Sequence, residues 1–132
     1  MSNLKHTARV LAAAAGLSVL GGFGASPAMA KAGDVIVTGT CSAGSTYKLK
    51  LGPRDGLIET EFEVDSNVVG QTWGVAMTDN GTLVFAGLRT TLAPSGSFTV
   101  RPRIRDRVGT DSVVAAAANL ATGEVCVARA SV

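Results

Sequence analysis

Leu57-Ile58-Glu59-Thr60-Glu61-Phe62-Glu63-Val64-Asp65 is the stretch that decides the fold class. Glu59, Glu61, Glu63 and Asp65 alternate with Ile58, Thr60, Phe62 and Val64, a period of two that suits a strand and that a helix cannot use. One face is therefore acidic and the other fit for a core, as in an antiparallel sheet with one solvated side. The same alternation recurs outward in both directions, in the runs Asp34–Thr40, Thr46–Leu51, Gln71–Thr78, Thr82–Thr90, Ser97–Ile104, Ser112–Asn119 and Glu124–Ser131. Turn formers separate them: Ser42-Ala43-Gly44-Ser45, Pro53-Arg54-Asp55-Gly56, Asp79-Asn80-Gly81, Ala93-Pro94-Ser95-Gly96, Asp106-Arg107-Val108-Gly109 and Ala121-Thr122-Gly123. Asn80-Gly81 is the strongest hairpin signal, because both residues tolerate the positive φ of a type I′ turn. Val113–Ala118, with its four alanines, tempts a helix reading, but it is too short to stand alone and is hemmed by strands, so it is read as strand.

Seven or eight short strands at this spacing, with one tryptophan, predict an all-β immunoglobulin-like or fibronectin-III-like antiparallel sandwich. Trp73 shares a face with Val75 and Met77 and is the expected core anchor, while Thr72, Gly74, Ala76 and Thr78 face the other way. Residues 1–30 read differently. Lys5, His6 and Arg9 precede an apolar stretch from Val10 to Leu20, and Ala28-Met29-Ala30 ends in small residues, the pattern of a cleaved signal peptide. The apolar run is about half the roughly twenty residues that span a bilayer, and Cys41 lacks the lipoprotein box before it. No membrane anchor is expected, and the domain is expected to run from residue 31 to 132, secreted to the outside.

Removing the leader changes the charge. The whole chain has twelve Lys and Arg against ten acids; Lys5 and Arg9 leave with the leader, so ten bases face ten acids. A nucleic-acid partner is excluded on that ground, since its affinity rests on clustered positive charge. The single histidine, His6, leaves too. Ser-His-Asp and Cys-His chemistry are then out of reach, and no cofactor or metal site is expected. Cys41 and Cys126, an even number in an exported chain, are expected to form one bridge between the first strand region and the last. A closed loop of that length removes about 4–5 kcal/mol of unfolded-chain entropy.

Several short patterns imitate chemistry. Ser45-Thr46-Tyr47-Lys48 matches S-x-x-K but lacks the S-D-N and K-T-G partners. Asn80-Gly81-Thr82 matches a glycosylation acceptor, at a place where the turn alone demands Asn-Gly. Ser95-Gly96-Ser97 lacks the flanking glycines of a nucleophile elbow. Asp65-Ser66-Asn67 and Asp79-Asn80 could offer oxygens to calcium, but Asx turns account for the same residues. Glu59, Glu61 and Glu63 could supply the two carboxylates of a glycosidase, but a solvent-facing strand gives them none of the shelter that general-acid work needs.

The string from Cys41 through Lys48-Leu49-Lys50-Leu51, Asp55 to Asp65, Gly70-Gln71-Thr72-Trp73, Ala93-Pro94-Ser95-Gly96-Ser97-Phe98 and Thr122-Gly123-Glu124-Val125-Cys126 resembles a family of small exported actinobacterial proteins of unassigned function. The resemblance implies secretion and a sandwich fold, and it implies no activity, ligand or site.

The function expected is a non-catalytic extracellular binding or interaction module; the alternative is a small-ligand carrier or an enzyme inhibitor. The partner could be an extracellular protein, a glycan or a small molecule. An exposed apolar patch or an open sheet edge would mark the module. The candidate binding surface is the stripe Arg101, Arg103, Arg105 and Arg107, which opposes Phe98, Val100, Pro102 and Ile104. A structural role competes for the same residues. In the immunoglobulin sandwich the second strand sits between the first and the fifth. That order would place the acidic stripe between Lys48/Lys50 and the arginines, as a plus, minus, plus ladder that fixes register.

Overall fold

Alternating burial carries through the predicted runs except the two at sheet edges, Asp34–Thr40 and Thr82–Thr90, and the computed structural model, which describes residues 33–132, folds them all into nine strands. They are β1 (Val35–Thr40), β2 (Thr46–Arg54), β3 (Leu57–Asp65), β4 (Thr72–Asp79), β5 (Thr82–Thr90), β6 (Ser97–Val100), β7 (Arg103–Arg105), β8 (Ser112–Asn119) and β9 (Val125–Ser131). The leader expected over residues 1–30 and the expected start at residue 31 lie outside the described residues. Two antiparallel sheets pack face to face. One has the order β1-β2-β3-β6, with β7 also on β3; the other has the order β9-β8-β4-β5.

Two boundaries differ from the sequence reading by more than one residue, both at prolines. The run Ser97–Ile104 is two strands, because Pro102 has no N–H to give to the ladder. Its carbonyl still accepts from the Thr60 amide, and the register that pairs Phe62 with Val100 resumes with Glu59 opposite Arg103. The interruption is thus local, and Arg101 remains level with Glu61. Conversely, β2 continues past Leu51 through Pro53 to Arg54. Pro53 is tolerated because β1 starts at Val35, opposite Leu51, so no strand lies beyond Pro53 to receive a donor.

The hairpins follow their turn chemistry. Asp55 and Gly56 join β2 to β3, and Asn80 and Gly81 join β4 to β5, each pair with positive φ at both residues. A bulge follows at Met77/Thr78, where Phe85 pairs with Met77 and Leu83 with Thr78. The extra residue, Val84, joins Phe85 against the core. The alanine-rich run is strand β8, paired with β4 and β9.

The core lies between the sheets. Trp73 is fully buried with Phe62, Leu49, Leu51, Ile58, Met77 and Val64, and its ring lies 6.1 Å from Phe98. Alanines 115, 117, 128 and 130 supply the facing surface of β8 and β9, thin enough for the large side chains of the opposite sheet to fill the layer. The Cys41–Cys126 disulfide is formed, tying the end of β1 to β9 and so one sheet to the other.

Candidate functional site

The two outer faces of the sandwich differ in kind. On the five-stranded sheet the alternation leaves Lys48 and Lys50 of β2 beside Glu59, Glu61 and Glu63 of β3, with the arginine segment on the far side. The expected ladder is present. Lys50 stands opposite Glu61 and Lys48 opposite Glu63 in the register, while the shortest contact is the diagonal Lys48 Nζ to Glu61 Oε2, 3.0 Å. Arg101 Nε approaches Glu61 Oε1 at 3.8 Å from the other side. Partial burial would raise the Glu61 carboxyl, but the hydrogen bond from Lys48 and the charges of Lys48, Arg101 and Lys50 hold it below the usual range.

The four arginines do not form one surface. Arg101 belongs to the ladder, and Arg103 and Arg105 extend from β7 as exposed side chains. Arg107 has left the stripe. It follows the end of β7, its guanidinium Nε lies 3.7 Å from Asp79 Oδ2 of β4, and its amide donates to both oxygens of Asp111. The strand periodicity that put it in the row ends at Arg105.

A further pair underlies the ladder. The Asp34 side chain is fully buried and accepts from Arg54 Nη1 at 2.8 Å and Nη2 at 3.2 Å, with Lys50 Nζ at 3.8 Å. Gly52 makes room for it: a Cβ there would come within 2.9 Å of Asp34 Oδ1 and 3.1 Å of the Arg54 guanidinium. A depression of about 340 Å3 lies above, lined by Lys50, Arg54, Glu59, Glu61, Arg101 and Arg103. A second, of about 460 Å3, lies over Gly39 beside Tyr47, Lys48, Glu63 and Asp65. The first is walled mainly by charged side chains; the second adds Thr38, Thr40 and Thr46 to its three charged ones.

The outer face of the four-stranded sheet is built from other material. Its rows, read across the strands, are Val125, Ala118, Gly74 and Leu88; then Val127, Ala116, Ala76 and Ala86; then Arg129, Val114, Thr78 and Leu83. Leu120 extends the face beyond the first row, its amide bonded to the Thr72 carbonyl. Leu83, Leu88 and Leu120 are about 60% exposed, and Arg129 is the one charge among these residues. Leu88 and Leu120 lean over Gly74, where an added Cβ would lie 4.0 and 3.8 Å from their Cδ2 atoms. Along the strands the face thus rises at Leu88 and Leu120, falls along Ala86-Ala76-Ala116, and rises again at Leu83 and Val114.

Reading the sequence missed this face. The signal was in the outward set Thr72, Gly74, Ala76 and Thr78, but the small residues draw attention only once β8 and β9 lie beside them. It also missed the Glu124 clamp, in which one carboxylate accepts from the Ala43 and Ser45 amides at 3.0 and 2.8 Å and from the Ser45 hydroxyl at 2.8 Å. Ser45 is therefore committed to Glu124, and Lys48 to the ladder, which removes the S-x-x-K reading. The Asp65-Ser66-Asn67 segment is an Asx turn, with the Asn67 amide on Asp65 Oδ1 at 3.0 Å. Among the described residues no three His, Cys, Asp or Glu side chains are grouped to hold a metal ion, and no helix is long and apolar enough to cross a membrane. No protein-family model matches the chain, and no curated protein matches it.

Proposed function

We propose that this protein is a secreted, non-catalytic interaction module that meets its partner through the outer face of β9, β8, β4 and β5. One observation carries the reading: charge is concentrated on the other sheet, where it is largely neutralised across strands, while this face holds a single charged side chain at its margin. A broad apolar sheet face exposed on a small domain marks a surface that is covered in use. The arginine stripe is a weaker candidate, because Arg101 and Arg107 have acidic partners. The carrier or inhibitor alternative has less support, since the depression beside Glu61 is walled by charges and the one over Gly39 by threonines, Tyr47 and three charged side chains, with no aliphatic side chain in either lining.

Secretion is supported by the leader pattern and by the disulfide, which persists in oxidising compartments. The immunoglobulin-like assignment is supported by the strand order: the tryptophan strand β4 lies beside β8, with β9 next, and β3 lies between β2 and β6. We place the chain with the small exported actinobacterial proteins it resembles. Immobilised protein, exposed to cell-envelope fractions and culture supernatant, should retain a defined partner. Ala116→Arg should release it. Retention unaffected by Ala116→Arg would move the site elsewhere.

A further inference from the structure

The geometry points to the open edge of β5 as a strand-addition site, with a second copy of this chain as its occupant; the inference stands apart from the reading of the outer face. Among the described residues the other sheet edges are covered or blunted. β1 and β9 lie against each other, joined by the Cys41–Cys126 bridge. The Ser42 amide donates to the Val125 carbonyl, and the Ser42 hydroxyl oxygen accepts from the Val125 amide. On the far side β6 and β7 are four and three residues long and are parted by Pro102. Short strands and proline are the ordinary protection of an edge. β5 has neither: it is nine residues long, Arg89 is its one charge, and past its bulge the register is regular from Phe85 to Thr90.

Which backbone groups stand open follows from two bonds. The Thr91 amide donates to the Gln71 carbonyl at 2.8 Å, and the Leu120 amide donates to the Thr72 carbonyl at 3.0 Å. Bonded pairs alternate along an antiparallel ladder, so Trp73, Val75 and Met77 bond to Arg89, Gly87 and Phe85. Ala86, Leu88 and Thr90 therefore turn their amides and carbonyls outward. Arg89 agrees with this phase, since its Nη1 donates to the Leu88 carbonyl at 2.8 Å. Such a row is matched by another extended chain.

A two-fold axis beside Gly87, normal to the sheet, makes β5 its own complement. Ala86 then faces Leu88 of the second copy and Leu88 faces its Ala86, each as a doubly bonded pair, and the Leu88 carbonyl exchanges the Arg89 guanidinium for an amide. The Arg89 guanidinium lies 5.2 Å from its own Phe85 ring; the same axis sets Arg89 opposite Phe85 of the second copy, on the same side of the sheet, so the cation keeps a ring to lie over. The two arginines stand about 14 Å apart along the strands, beyond most of their repulsion at physiological salt. Gly87 faces Gly87, with no side chain between the strands. The product is one continuous sheet with both apolar faces on the same side, in an association weak enough to depend on concentration.

Sedimentation equilibrium, over roughly 10 µM to 1 mM, should show the weight-average mass climbing from monomer toward dimer. Ala86→Pro and Leu88→Pro each remove an outward amide and no bond to β4, so each should weaken association at least about tenfold while the melting curve stays cooperative. Ala116→Arg, on β8 and away from the edge, should leave association unchanged. Amide exchange in the unaltered protein tests the same groups without a variant. Phe85, Gly87 and Arg89 should be protected at every concentration, and Ala86 and Leu88 should gain protection only as the dimer fills. A mass that remains monomeric throughout overturns the second copy as occupant, as does association that both folded proline variants keep or that Ala116→Arg abolishes. If a proline variant does not fold, the exchange pattern decides: protection that rises with concentration elsewhere in the chain but not at Ala86 and Leu88 overturns the β5 edge.

Discussion

Glu61 is bound most closely by Lys48, at 3.0 Å, although the register sets Lys50 opposite it. The diagonal choice has a cause in the neighbouring strand. Lys50 Nζ is within 3.8 Å of the buried Asp34. The closest cations to Glu61 are thus Lys48 and Arg101, with the Lys50 charge acting on it from farther off.

The ladder should show up as pairwise coupling. Lys48→Glu and Glu61→Lys should each destabilise, and the double exchange should restore part of the loss, with a coupling of about 0.2–1 kcal/mol at low salt in a denaturant-melt cycle. Glu61→Lys with Arg103→Glu should couple less, because Arg103 stands opposite Glu59 rather than Glu61. Equal stability across the first cycle would mean that the ladder does no structural work.

The Glu124 carboxylate pins the Cys41–Ser45 loop to the start of β9. Burial would raise its pKa, but the amide and hydroxyl of Ser45 and the amide of Ala43 lower it on balance. A lowered folded pKa contributes stability that is present above the unfolded carboxylate pKa and is lost as pH falls through the folded one. Glu124→Ala should therefore cost about 1–2 kcal/mol at pH 7, toward the low end for charge-assisted bonds at a half-buried site. The loss should shrink in acid. Melts from pH 7 to pH 2 test both parts.

Asp111 behaves with the opposite sign. Its side chain is buried beside the equally buried Asp79, and burial first, then the Asp79 carboxylate, pushes its carboxyl up; the Arg107 amide and Asp106 offset part of this. A raised folded pKa means the protonated form is preferred in the native state, so that stability is present below the unfolded value and is lost as pH rises through the folded one. Asparagine keeps an acceptor for the Arg107 amide and offers Asp79 a donor, whose Oδ1 has no hydrogen-bond partner. Asp111→Asn should raise the melting temperature at pH 7 and gain little at pH 3. A lower melting temperature at pH 7 would contradict this account.

Much of the sandwich was legible because its strands alternate so strictly. The ends of β3, β5 and β8 fell where Asp65, Asn80-Gly81 and Asn119 predict, since backbone conformation there is set by local turn chemistry. Pro102 and Pro53 were harder to read: whether a proline breaks a strand depends on which neighbour would have received its missing N–H, and that is a fact of topology. The ladder was legible from charge alternation once a strand order was assumed. Arg107 was not, as its departure toward Asp79 depends on where β7 stops. The apolar face was invisible for a related reason. Val114 and Ala116 from β8, Val127 from β9 and Leu88 from β5 are unremarkable singly and become a surface only in register.

Reducing the Cys41–Cys126 bridge should cost about 4–5 kcal/mol on the chain-entropy model, since 84 residues lie within the loop it closes. Denaturant melts of the Cys41→Ser/Cys126→Ser variant measure it. A loss under about 1 kcal/mol would mean that the reduced chain is already compact at these ends.

The central claim is that recognition belongs to the apolar sheet face and that the charged face is structural. The most direct test compares partner retention by three immobilised forms: the unaltered protein, Ala116→Arg, and the triple variant Arg101→Gln/Arg103→Gln/Arg105→Gln. Retention should be lost with Ala116→Arg and kept by the triple variant at near the unaltered level, with both variants folded by their melting curves. Retention kept by Ala116→Arg and lost with the three arginines would contradict the account and return the binding surface to the stripe.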